Sequence, residues 1–77
     1  MSEPKKLFTE GQYRVGISFN PSNNDDVNYI KSVVAEIIDF ITEHGKDSRC
    51  TSIACTELES AAMWAVKSIT KQENPNA

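Results

Sequence analysis

No stretch of this 77-residue chain is apolar over the roughly 18 residues that a bilayer-spanning helix needs, and the opening MSEPKKLFTEGQ carries no apolar core of the signal-peptide kind. The sequence predicts a protein of the cytosol, not of a membrane or a secretory route. Cysteine is scarce: Cys50 and Cys55 stand five apart in one helical stretch, where their side chains diverge too far for an unstrained disulfide. With one histidine, His44, and those two cysteines there is no metal-ligand spacing and no third group to orient a nucleophile and base. Glu57 and Glu59 are two apart, so on a helix they face different sides and form no acid/base pair. No cofactor, metal or catalytic residue is expected. Basic residues are also few, 8 against 11 acidic for a net charge of -3, which argues against a long face tracking a nucleic-acid polymer. A compact anion held by a few placed side chains remains open.

A chain this short buries only a marginal core and commonly leans on a staple or a partner. Since no disulfide is available, homo-oligomerisation is the expected remedy. Residues 1–12 read as a flexible polar segment and residues 72–77 as a frayed tail, leaving a single domain over 13–71.

In YRVGISF, Tyr13, Val15, Ile17 and Phe19 alternate with Arg14, Gly16 and Ser18, which predicts a half-buried strand over 13–19. A lone strand needs a partner, and a symmetry mate would supply it. NPSNND then reads as a turn and helix start, with Ser22, Asn23 or Asn24 as the cap and Asp25 and Asp26 suiting the first turn. Val27, Ile30, Val33, Val34, Ile37, Ile38 and Ile41 form a helical stripe that stops at Gly45, so a helix is expected over 24–44. Asp47 or Ser48 can cap a second helix over 48–71, with Ala54, Leu58, Ala61 or Ala62, Ala65 and Ile69 facing inward. So short a connection makes the two helices an antiparallel hairpin, and small residues on the second let the backbones approach. The predicted class is mainly α: a short N-terminal strand, then a two-helix hairpin, completed by homo-oligomerisation.

Arg49 sits in the first turn of the second helix, where a cation opposes the helix dipole unless an anion arrives. Free amides, the hydroxyls of Ser48 and Thr51, and a guanidinium fork would together suit phosphate. The plainer alternative is that Arg49 is solvated or paired with Asp47. Asn20 and Ser22, with Lys31 about two turns along, form a second candidate anion site beside free helix amides, against the alternative of ordinary capping. Trp64, with Met63 and Tyr29, could stack on a base, although a single Trp in a small hairpin more often serves core or interface.

The segment DSRCTSIACTELESAAMWAVKS resembles the hairpin signature of the anti-CBASS and anti-Thoeris sponges, small bacteriophage proteins that bind cyclic nucleotide signals of bacterial immunity. Arg49, Ala54, Thr56, Leu58, Glu59, Ala61 and Met63 to Ala65 carry the resemblance, and RVGISFNPS with Ile30 and Lys31 is similar to the upstream half of a subgroup from large tailed phages. Cys55 departs from it, standing where an aliphatic residue is common. The resemblance implies a non-enzymatic homo-oligomer, typically a hexamer, acting in the host cytoplasm. Such an assembly holds cyclic dinucleotides such as cGAMP, cyclic trinucleotides or cyclic ADP-ribose isomers between protomers without cleaving them. It implies ligand contacts at Arg49 and Thr56, with Thr51 beside them. Arg14, Asn20, Ser22 and Lys31 rest partly on the anion-site argument above. The rival from another class is a small helical interaction protein that binds a host protein.

Overall fold

A computed structural model describes residues 7–71, and among them three helices and no strand. Thr9 begins the first, α1 (Glu10–Val15): its hydroxyl accepts from the Gln12 amide while the Gln12 side chain accepts from the Thr9 amide. This reciprocal capping satisfies two donors that a helix start would otherwise leave bare. Gly16 ends the element at φ 63°, a left-handed conformation that costs glycine nothing.

The strand expected over 13–19 is therefore overturned, and the flexible segment expected to reach residue 12 gives way to helix from Glu10. The physical reason is local. A strand here would have had no partner, whereas the helix satisfies its own backbone and buries Gly11 and Val15, four apart, on one face. Tyr13 and Phe19, half of the apparent alternation, are 74% and 73% exposed. Residues 1–6 and the tail 72–77 lie outside the described residues.

The second helix, α2 (Asp25–His44), starts at Asn24, whose side chain accepts from the amides of Asp26 and Val27 at 2.8 and 3.2 Å. Asn23 before it takes φ 51°, a conformation that asparagine tolerates better than most residues. Val27, Ala35 and Ile38 are its buried apolar positions, and Ile38 is 0% exposed. Ile37, read as part of the inward stripe, is partly exposed instead.

Gly45 and the two residues after it turn the chain into α3 (Ser48–Thr70), capped by Asp47, which accepts from the Cys50 amide at 2.8 Å. Gly45 is extended, not left-handed, and its need for glycine is spatial: a Cβ there would overlap the Thr51 hydroxyl and meet the Ile41 carbonyl oxygen at 2.7 Å. On α3 the inward face is the expected one at Leu58 and at Ala62, with Ala54 and Ala65 half-buried and Cys55 joining it. Cys55 and Ala62 are buried with Leu58 packed against them, while Ala61 and Ile69 face outward.

Val15, Ala35, Ile38, Cys55 and Ala62 form one core where the three helices meet. Cys55 fills an apolar position there, its sulfur 3.7 Å from the Thr42 hydroxyl. α1 and α2 approach closely at Gly11: a Cβ there would overlap the Ala35 carbonyl oxygen, with the carbonyl carbon 2.8 Å away. The Gly11 amide donates to Asp39 Oδ1 at 2.7 Å, which holds α1 across α2 by a polar contact as well as by burial.

Candidate functional site

Laying α1 across the hairpin leaves a cleft of about 460 Å³ between α1, the turn after it, α2 and α3. Tyr13 from α1, Phe19 from the turn and Met63 from α3 line it together with Arg14, Lys31 and Glu59. Its walls are largely apolar and its few polar groups converge, which is the usual character of a small-molecule site.

Arg14 is the polar centre. Its Nε donates to Glu10 Oε2 at 2.6 Å, one turn back on α1, and its Nη1 approaches Glu59 Oε1 on α3 at 3.3 Å. The hydrogen bond to Glu10, with the charges of both carboxylates, pushes the guanidinium further up from its already high value. Lys31 is 7% exposed, and its ammonium donates to the carbonyls of Gly16, at 3.0 Å, and Phe19. Those carbonyls belong to the turn that ends α1, so Lys31 acts as a brace. Burial lowers its pKa. Its Nζ also lies 5.4 Å from the centroid of the Phe19 ring.

Asn20 and Ser22 line a smaller hollow of about 250 Å³ that shares Phe19, Lys31 and Val66 with the cleft and reaches Thr70. Asn20 is engaged with Asn24: its Nδ2 donates to the Asn24 carbonyl at 2.9 Å and its Oδ1 accepts from the Asn24 amide at 3.0 Å. It splints the helix start. Ser22 is exposed in the turn.

The remaining candidates lie toward the other end of the molecule. Arg49 is exposed, one residue into α3, and makes none of the ion pairs among the described residues, so of the plainer alternatives it is solvated and not paired with Asp47. The Cys50 amide, which holds the Asp47 carboxyl below the usual range, takes that role. Thr51 is half-buried against Gly45, and Thr56 is exposed in a shallow groove with Ser52, Ile53 and Glu57. From Arg49 to Glu59 is ten residues of helix, about 15 Å at 1.5 Å per residue. One chain therefore gathers Arg14, Lys31, Asn20 and Ser22 at one end and leaves Arg49, Thr51 and Thr56 apart.

Tyr13 lines the cleft, a place that the strand-like alternation of the sequence hides. The TEGQ capping box would have placed it on a helix, one residue before Arg14 and beside the glycine turn. Trp64 and Met63, expected in core or interface, are 66% and 62% exposed in the chain, and Trp64 stacks under Lys67 at 5.1 Å. Among the described residues no cluster of His, Cys, Asp or Glu could hold a metal ion, and no helix is long and apolar enough to cross a membrane.

No curated protein and no solved structure is significantly similar to the chain. A family match does emerge, and it spans all three helices, from the first residue of α1 to the last of α3. Over residues 10–70 the chain belongs to the family described as Acb2/Tad1, hairpin domain.

Proposed function

We infer that the protein is a phage-encoded sponge that binds cyclic oligonucleotide second messengers in the host cytoplasm and sequesters them uncleaved, so that the effectors they switch on stay inactive. The observation that carries this reading is the family membership over residues 10–70. The geometry supports it. The cleft offers aromatic faces at Tyr13 and Phe19 next to a guanidinium and a carboxylate, a combination suited to a nucleobase and its edge.

Arg49, with Thr51 and Thr56, supplies a second surface, for phosphate. A cyclic di- or trinucleotide is a rigid ring carrying two or three phosphodiesters, so it loses little conformational entropy on binding. One arginine per chain, repeated by symmetry, meets the repeated charges. This needs a homo-oligomer, with a hexamer favoured. The reason for assembly is no longer an unpaired strand. It is the set of large apolar side chains left in water by one chain, including Tyr29, Phe40, Ile53, Met63 and Trp64.

The test is native mass spectrometry of the purified protein with a panel of cyclic dinucleotides, cyclic trinucleotides and cyclic ADP-ribose isomers. A symmetric oligomer carrying a ligand of unchanged mass is expected. A protein that takes up nothing from the panel overturns the reading. The same exposed apolar side chains favour a second reading, a host-protein partner, and affinity capture from host lysate would then return one stoichiometric protein.

A further inference from the structure

We propose that Glu59 and Arg14 together read the edge of a guanine base in the cleft, making the site selective for guanine-containing over adenine-only cyclic nucleotides. The proposal rests on the sponge reading above and names the base that this site takes.

The charge balance of the cleft comes first. Arg14 is matched by Glu59 across the cleft and by Glu10 behind it, and the Lys31 ammonium is consumed by the Gly16 and Phe19 carbonyls. Little free positive charge is left for a phosphate. The cleft instead presents, side by side, a donor at Arg14 Nη1 and an acceptor at Glu59, 3.3 Å apart, in a lining that also holds Tyr13, Phe19 and Met63. That suits a flat, uncharged ring with hydrogen-bonding atoms on its rim.

The acceptor side then selects among such rings. The Arg14 contact uses only Glu59 Oε1, at a long distance, and Oε2 makes no hydrogen bond among the described residues. A carboxylate with capacity to spare accepts best from two adjacent donors. Guanine offers N1–H and the 2-amino group next to the O6 acceptor, so the carboxylate takes the donors while Arg14 donates to O6. Adenine has one exocyclic donor beside a ring acceptor and leaves one carboxylate oxygen facing a lone pair. Glu10 is a useful contrast, because it holds the same arginine from outside the cleft lining.

The experiment measures Kd for cyclic di-GMP, cyclic di-AMP and cyclic di-IMP, the last lacking the 2-amino group, on the full chain and on its Glu59→Gln and Glu10→Gln variants. The full chain should favour cyclic di-GMP over cyclic di-AMP by roughly tenfold or more, the discrimination of one good bidentate pair. Cyclic di-IMP should lose most of that preference, a result that needs no variant to fold. Glu59→Gln should bring the ratio near unity by weakening cyclic di-GMP and strengthening cyclic di-AMP, since the amide can donate where the carboxylate faces a lone pair, and Glu10→Gln should keep it. Equal binding of the three ligands by the full chain, or a ratio that survives Glu59→Gln, overturns the proposal while leaving the sponge reading intact. Failure to bind any cyclic nucleotide would overturn both.

Discussion

The Gly11 amide donates to Asp39 Oδ1 at 2.7 Å, joining residues 28 apart in sequence, where α1 packs closely on α2. The contact needs both a carboxylate at 39 and no side chain at 11, because a Cβ on Gly11 would overlap the Ala35 carbonyl. Gly11→Ala should therefore push α1 off the hairpin, at a cost of about 1 to 3 kcal/mol for overpacking. Hydrogen exchange would show it as lost protection in residues 11–15 with α2 and α3 unaffected; unchanged exchange there would mean that α1 is not seated as described.

Ile38 is wholly buried at the meeting point of the three helices. Ile38→Ala should cost about 2 to 5 kcal/mol, the range for a large-to-small change at a packed site. Urea unfolding would read it as a lower midpoint. A cost well under 1 kcal/mol would place Ile38 outside the core.

Asn24 caps α2 through two amides and is itself splinted by Asn20. Asn24→Ala should destabilise the chain by about 1 kcal/mol. Asn20→Ala should weaken the same helix start by less, and the double variant should show a non-additive loss, since the two side chains act as one unit.

Lys31 carries a pKa lowered by burial. The folded state then binds fewer protons than the unfolded one between the lowered value and the ordinary lysine value, so this group adds stability as pH rises through that window. Compared with Lys31→Met, which has nothing to titrate there, the native chain should gain in melting temperature on alkalinisation just below the lysine range. Parallel curves would show that the ammonium is not desolvated.

Arg49→Ala should leave fold and assembly intact, because the side chain is exposed and supports nothing around it, yet abolish binding of at least one ligand class. Analytical ultracentrifugation paired with ligand titration checks both halves. An assembled variant with full affinity for every ligand would remove Arg49 from the site.

The hairpin was legible because its signals are redundant. Asp25 and Asp26 at the start of α2, the isoleucine and valine stripe, Gly45 and Asp47 all speak for the same two helices. α1 was not, since Tyr13, Val15, Ile17 and Phe19 imitate a strand period within a segment too short to show a helical one. The local chemistry, Thr9 with Gln12 and then Gly16, outweighs that pattern. Of the candidate site, the sequence offers residue types but not their arrangement. Lys31 and Arg14 read as anion contacts, whereas in the fold both are already engaged, by partners 12 and 15 residues away for Lys31 and, for the Arg14 contact to Glu59, 45 away. Such distant pairings leave no periodic trace in a sequence.

The three-residue link from Gly45 to Asp47 has a consequence in time. Helices joined so closely meet neighbours in the chain, so closing the hairpin costs little loop entropy and the search for it is short. Small helical domains of this kind fold within microseconds to milliseconds. A phase slower than that, and faster at higher protein concentration, would then report one copy finding another.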